Sequence, residues 1–161
     1  MQDLVDHLGI GRASIYATFG TKHELYLKAL QLYRDGDWVA RRLSQPGSAI
    51  AAVRALLHDL VEDSLVDGDR KGCFGVNTAT ECLPGDERLT RQVEAAWNTM
   101  EALLTSTLYR AQAQGELAAH KDPKQLGRFL LTVIEGLYVL AKAPEPERMR
   151  GAVRVALAAL D

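Results

Sequence analysis

The sequence has little of what marks a secreted, membrane-bound or disulfide-stabilised protein. Only two of its 161 residues are cysteines, too few for a disulfide framework. No apolar run approaches the roughly 18 residues of a membrane span. Residues 1–3 (Met-Gln-Asp) lack the basic and apolar regions of a signal peptide. The sequence therefore predicts a soluble, reduced, cytoplasmic protein with no membrane partner.

Motifs for catalysis and for metal binding are also missing. The four histidines, at positions 7, 23, 58 and 120, have no metal-ligand spacing. No P-loop, dinucleotide-binding glycine pattern, nucleophile elbow or CxxC pair occurs. We therefore predict no enzyme activity, no metal and no cofactor. The net charge of -2 excludes a generally basic nucleic-acid coat, but it leaves room for a local basic patch.

Helical periodicity dominates the sequence and predicts an all-α fold. Aromatic residues make up only 6% of the chain, and glycine and proline divide it into helical lengths. Helices are predicted at residues 2–8, 12–19, 21–43, 48–66, 73–82, 86–114, 123–142 and 146–160. Asp35-Gly36-Asp37 can bend the third of these, and a polar loop is predicted at residues 67–72.

The first 25 residues carry a helix-turn-helix pattern. Gly9 stands where a tight turn needs positive φ, and Ile10 is placed to fill the angle between the two helices. The second helix then projects short polar side chains, as a helix does when it enters a major groove. Many helical hairpins share a glycine turn, so this pattern alone is moderately specific.

Residues 15–25 (IYATFGTKHEL) are more specific. They read as an aliphatic residue, Tyr, two variable positions, Phe, a small residue, Ser or Thr, Lys, and then Glu and Leu. This stretch resembles the most recognisable segment of the TetR (tetracycline-repressor) family of transcriptional regulators, over about the first 33 residues. The remainder is similar to the family in architecture, and residues 71–77 (KGCFGVN) resemble a Gly-Cys…Asn stretch of one branch.

The resemblance implies a ligand-responsive repressor that binds double-stranded operator DNA as a homodimer and is released by a small, mostly apolar effector. It divides the chain into a helix-turn-helix domain (1–33) and a ligand-binding and dimerisation domain (34–161). The DNA-binding residues it implies are Gln2, Arg12, Ala13, Ser14, Tyr16, Ala17, Thr18 and Lys22. For each of these, the alternative is a solvated helix face.

One departure concerns the start of the sequence. The family has another helix before these two, and there is no room for it before Gln2. We expect either that the numbering begins at an internal methionine of a longer natural chain, or that a short form binds DNA poorly. The second case predicts a dimerising small-molecule or thiol-redox sensing module with impaired DNA binding.

The middle helices supply the residues of a predicted effector pocket. An apolar cavity with a few polar groups is the usual environment for such ligands. The predicted ligand-binding residues are Val61, Phe74, Asn77, Trp97, Met100, Glu135 and Tyr138. The alternative for the apolar members is ordinary core, whereas Asn77 and Glu135 each need a polar partner.

Cys73 is a candidate redox sensor because it follows Arg70 and Lys71 at a predicted helix N-terminus. Cationic neighbours and the helix dipole stabilise a thiolate. The alternative is a small buried apolar residue. Cys82 lies about 13 Å further along the same helix, too far for a disulfide with Cys73.

The last two helices carry surplus apolar surface, which predicts a subunit interface. The predicted interface residues are Leu126, Phe129, Leu130, Val133, Leu137, Leu140, Met149, Val153 and Leu157. The alternative is that both helices belong to the core of one chain.

Overall fold

The computed structural model describes residues 1–66 and 70–161, and these confirm the all-α prediction, with helices and no strand. The chain divides into two compact units, Met1–Gly36 and Asp37–Asp161. Within the described ranges, no helix is both long enough and apolar enough to cross a membrane. Part of the predicted loop at 67–72 lies outside the description, namely Asp67, Gly68 and Asp69.

The first unit consists of α1 (Gln2–Leu8), α2 (Arg12–Phe19) and α3 (Lys22–Arg34). Gly9 ends α1 in the left-handed region (φ 65°), where its N–H donates to the carbonyl of Val5 at 2.9 Å. The hydroxyl of Thr21 accepts the N–H of Glu24 at 3.1 Å and so caps α3. The predicted glycine turn is confirmed.

The unit Met1–Gly36 buries few apolar side chains. Ile15 is 1% exposed, and Leu27 and Leu30 are also buried. Ile10 is 43% exposed, so the prediction that it fills the angle between α1 and α2 is wrong. Three short helices enclose little volume, and they cover only part of their apolar surface.

The helix predicted at residues 21–43 is in fact two helices. Helix α3 ends at Arg34, and α4 (Trp38–Leu43) begins after a break at Asp35-Gly36-Asp37. The N–H of Gly36 turns back to the carbonyl of Tyr33 at 3.4 Å. Glycine disfavours helix interiors and aspartate favours helix ends, so the segment that was expected to bend the helix ends it.

The second unit continues with α5 (Ala49–Val66), α6 (Phe74–Cys82), α7 (Glu87–Ala113), α8 (Pro123–Leu140) and α9 (Pro146–Ala158). Helices α5, α7, α8 and α9 contribute to one apolar core. Its largest fully buried side chains are Leu56, Leu57, Leu104, Leu108, Leu130, Ile134, Leu137, Met149 and Leu160. Burial of these stripes is the main term that stabilises the unit.

Acidic side chains cap three of these helices. Asp86, Asp122 and Glu145 each accept two backbone N–H groups, at the starts of α7, α8 and α9 respectively. Proline follows the cap directly in α8 and α9, a position where its missing N–H leaves no hydrogen bond unmade. The helix starts are therefore fixed by local sequence.

The start of α5 is held by the residues that follow α7. The side chain of Gln114 accepts the N–H of Ala49 at 3.1 Å, and the carboxylate of Glu116 accepts the N–H of Ile50 at 3.0 Å. The bond from Ile50 holds the pKa of Glu116 below its ordinary value. The hydroxyl of Ser48 accepts the next N–H, that of Ala51, at 3.0 Å.

Helices α7 and α8 cross closely at Gly127. A Cβ atom at this buried position would overlap the hydroxyl of Thr105 and lie 3.3 Å from the backbone nitrogen of Thr105. Glycine therefore lets the two helix backbones approach, and the contact leaves no room for a methyl group.

We expect Gly127→Ala to lower the free energy of unfolding by about 1–3 kcal/mol, because overpacking forces the helices apart. Urea denaturation measures this change. Adding Thr105→Ala to the Gly127→Ala variant should restore part of the loss, since it removes the overlapping hydroxyl.

The matched control is Gly151→Ala in α9, where the new methyl group meets only the end of Arg154, at 3.8 Å. It should leave stability unchanged or slightly raised. Wild-type stability in Gly127→Ala would contradict the close crossing.

Candidate DNA-binding surface and sensory residues

Helix α2 presents a nearly continuous exposed face in the unit Met1–Gly36. Gly9 reverses the chain after α1, and Gly11 precedes α2 in an extended conformation. Ile15 points inward, whereas the other side chains of the first two turns remain exposed. The exposed residues are Arg12, Ala13, Ser14, Tyr16, Ala17 and Thr18. One apolar anchor thus fixes which side of α2 faces outward.

A hydrogen-bonded chain positions the guanidinium of Arg12. Arg12 Nη2 donates to Gln2 Oε1 at 3.3 Å, and Gln2 Nε2 donates to Asp6 Oδ1 at 2.9 Å. Gln2 and Asp6 both belong to α1, so this helix orients a side chain at the start of α2. The structure therefore brings together two of the predicted DNA-binding residues, Gln2 and Arg12.

Lys22 lies exposed at the first position of α3, directly after the capping residue Thr21. Unpaired amides at a helix start attract anions, and the helix dipole adds to the effect. In the same unit, Lys28 Nζ lies 5.6 Å from the centre of the Phe19 ring, which keeps that ammonium over an aromatic face. Lys22 is therefore the lysine whose position suits a phosphate contact.

The predicted effector residues are spread over α5, α6, α7 and α8. Val61 is fully buried in the core. Phe74, Asn77, Trp97, Met100, Glu135 and Tyr138 are all half-buried. Val61 therefore acts as core, whereas the others retain surface that a ligand can contact.

Trp97 and Glu135 form a hydrogen bond between α7 and α8. The Trp97 side chain bonds the Glu135 carboxyl group, and indole N–H is a donor only. Burial raises the pKa of Glu135 above its ordinary value, and the bond from Trp97 partly opposes the rise. The pair combines an apolar surface with a carboxyl group that protonates more readily than a solvated one.

Asn77 keeps an acceptor without a partner. Its Nδ2 donates to the carbonyl of Lys71 at 3.0 Å, which fixes the amide orientation. Its Oδ1 is buried and has no hydrogen-bond partner among the described residues. Burying an unpaired acceptor costs about 1–3 kcal/mol, so a donor supplied by a ligand would be stabilised here.

Cys73 is the N-cap residue of α6 and is half-buried. A Cβ atom built on Gly75 would stand 3.6 Å from its sulfur, so the sulfur lies beside the first turn of the helix. Cys82 is the last residue of α6. The two cysteines therefore occupy opposite ends of one helix, and neither forms a disulfide.

The structure contradicts five of the predicted interface residues. Leu130, Leu137, Met149, Val153 and Leu157 are buried in the core of their own chain, so a second copy cannot reach them. The apolar stripes that carry them pack against the rest of this unit, chiefly α5 and α7.

The remaining predicted interface residues keep accessible surface. Phe129 is 42% exposed, and Leu126, Val133 and Leu140 are half-buried. Val139 and Val155, which are not among the predicted interface residues, are 50% and 72% exposed. Their signal is weak, since each is a single large apolar residue on an outward-facing helix surface.

Comparisons with known proteins bear on the whole chain. The family model described as tetracyclin repressor-like, C-terminal domain, matches residues 49–157. The HTH-type transcriptional regulator YezE of Bacillus subtilis (strain 168) is 37% identical, over 100% of this chain and 85% of its own length. The HTH-type transcriptional repressor ComR of Escherichia coli (strain K12) is 27% identical, over 88% and 69%.

A solved structure is similar over the same extent. It is a cysteine mutant of the TetR family transcriptional regulator CifR, complexed with a 26-base-pair operator duplex. The TM-score is 0.87 at 31% identity, over 100% of this chain and 86% of that one. The expectation of a further helix before Gln2 stays a prediction. The family match and the identity to YezE together show that the chain belongs to the TetR family of transcriptional regulators.

Proposed function

We propose that the protein binds operator DNA as a homodimer, with α2 as the recognition helix, and that a small effector releases it. The exposed face of α2, with Arg12 oriented from α1, is the observation that carries the proposal. Ser14, Ala13 and Ala17 lie on the same face and would meet base edges in the major groove. The operator duplex bound by the similar protein CifR supports this assignment.

Contacts to the DNA backbone would surround these base contacts. Lys22 would bind a phosphate at the start of α3, and Tyr16 and Thr18 would contact phosphate or sugar from α2. Gln2 would lie near the backbone from α1. Such contacts set the position and the salt dependence of binding, whereas the base contacts set the sequence.

Dimerisation would use the outward faces of α8 and α9. Phe129 and Val139 on α8 and Val155 on α9 are large exposed apolar side chains. Gly136 on α8 and Ala152 on α9 are exposed and small, which permits close helix approach. A two-fold dimer would place two recognition helices on successive major grooves of a pseudo-palindromic operator.

The effector would bind near Asn77, Trp97 and Glu135. A mostly apolar molecule with a hydrogen-bond donor would satisfy Asn77 Oδ1 and contact the indole of Trp97. To release DNA, it must bind the DNA-free state more tightly than the DNA-bound state, because only differential affinity shifts the equilibrium.

Thiol sensing at Cys73 is the second candidate, favoured by the sulfur beside the first turn of α6. A peroxide oxidises an accessible cysteine to sulfenic acid and is itself reduced to water. Oxidation at this position would place a polar group at the start of α6 and alter the effector region.

Lys22→Ala tests the DNA-binding surface. It should weaken binding to all duplexes alike and reduce the slope of log K against log salt concentration by about 1, because one phosphate contact is lost. The measurement is a fluorescence-anisotropy titration over several salt concentrations. The target is a duplex selected with the wild-type protein from a random-sequence library.

The control for this experiment is Lys124→Ala, which removes an exposed lysine from the first turn of α8. It changes the charge equally and should keep the wild-type slope. An unchanged slope in Lys22→Ala would remove that residue from the DNA-binding surface.

Val155→Glu tests the dimer. A carboxylate on the outward face of α9 should be desolvated between two subunits, so the variant should sediment as a monomer and lose operator affinity. Sedimentation velocity measures the first effect. Val66→Glu, at an 84% exposed position of α5, should remain dimeric. A dimeric Val155→Glu would exclude this face.

Cys73→Ser tests thiol sensing. The variant should bind the operator normally, yet hydrogen peroxide should no longer release it. Gel-shift assays with and without peroxide measure this, and Cys82→Ser should still respond. Release by peroxide that persists in Cys73→Ser would exclude thiol sensing at this residue and would not affect the effector proposal.

A further inference from the structure

A cleft of about 210 Å³ lies where α4, α5 and α8 meet. Its walls include Trp38 of α4, Leu60, Asp63 and Ser64 of α5, Gly72, and Tyr138 of α8. Of the predicted effector residues, only Tyr138 contributes to it. Pockets for drug-sized ligands have volumes of roughly 300–1,000 Å³, so this cleft suits a smaller molecule.

Two aromatic side chains contribute to the cleft. Trp38 is 42% exposed and Tyr138 is half-buried, so both rings retain surface for a ligand. Leu60, which is buried, also lines the cleft. The faces of tryptophan and tyrosine attract cations, most strongly when water is partly excluded.

Asp63 supplies a carboxylate that no described residue neutralises. Its neighbours on α5 are paired, Asp59 with Arg42 and Glu62 with Arg150. The Asp63 side chain is exposed, and its carboxylate has no hydrogen-bond or ion-pair partner among residues 1–66 and 70–161. Ser64 donates its hydroxyl proton to the carbonyl of Leu60 at 2.7 Å, which leaves its oxygen able to accept.

Gly72 brings a backbone wall close to α8. It has a φ of 64°, and a Cβ atom there would lie 3.1 Å from the carbonyl oxygen of Tyr138. The side-chain carbons of Lys142 lie 3.6 and 3.8 Å from the same point. Lys142 is therefore a positive charge near the cleft that opposes the binding of a cation.

We propose that this cleft binds a small organic cation, a quaternary ammonium or protonated amine about the size of choline. The aromatic faces and the Asp63 carboxylate both favour positive charge, and the volume limits the ligand to a compact group. Trp38 begins α4, directly after the unit Met1–Gly36 in the chain. An effect of the cation on DNA binding depends on the proposed function, whereas the binding of the cation to this cleft is independent of it.

Isothermal titration of the full chain with choline chloride tests the proposal, with sodium chloride matching the ionic strength. The comparison ligand is 3,3-dimethylbutan-1-ol, a neutral molecule of the same shape. Choline should bind roughly tenfold more tightly than the alcohol. Equal affinities, or no choline binding at millimolar concentrations, would overturn the proposal.

Three variants assign the interaction to its residues. Asp63→Asn should weaken choline binding roughly tenfold and leave the alcohol unaffected. Trp38→Leu keeps an apolar wall without a π face, so it should weaken choline binding more than alcohol binding. Lys142→Gln should strengthen choline binding. Unchanged choline affinity in Asp63→Asn would also overturn the proposal.

Two controls separate this proposal from the proposed function. Glu94→Gln removes an exposed carboxylate from α7 and should bind choline as the wild type does. Operator binding by Asp63→Asn, measured without choline, should equal that of the wild type. If the wild-type protein binds no operator but binds choline through Asp63, the proposed function fails and the cation site stands.

Discussion

The close crossing of α7 and α8 at Gly127 determines which residues of α8 face the core and which remain on the surface. Because Gly127 lies against Thr105, α8 turns Leu130, Ile134 and Leu137 toward the core. The opposite surface of the same helix is then left with Phe129 and Val139. A bulkier residue at the crossing would move α8 away from α7 and alter the core and the outer face together. One glycine thus links the packing of the chain to the surface that a second subunit would meet.

The smaller unit depends on different physics. Because its three short helices bury little apolar surface, the unit Met1–Gly36 depends more on local turns and hydrogen bonds. These are the left-handed turn at Gly9, the Thr21 cap, and the hydrogen bonds from Arg12 through Gln2 to Asp6. Ile15 anchors α2 and sets its outward face. These local constraints fix the exposed face of α2 with very little core beneath it.

Local signals made most of the fold predictable. The Ser48 cap and the acidic caps before α7, α8 and α9 act within a few residues, so the sequence predicts where those helices begin. The resemblance at residues 15–25 predicts the family because the stretch combines the Thr21 helix cap with the exposed face of α2. Periodicity shows that a stripe is buried, but not what buries it. It therefore predicts a subunit interface at Leu130 and Met149, although both residues pack within one chain. The Trp97–Glu135 bond and the Trp38–Asp63 cleft depend on how distant helices cross, which no local pattern encodes.

The attachment of α5 to the end of α7 has a consequence for how the larger unit opens. Gln114 and Glu116 satisfy the first amides of α5 from 65 and 66 residues further along the chain, and Arg110 donates to the carbonyl of Leu43 at 2.6 Å. Fraying at the end of α7 would strip hydrogen bonds from the start of α5, so neither end opens alone. Amide protons at both places should exchange with solvent through one shared event, which makes this corner a single cooperative unit.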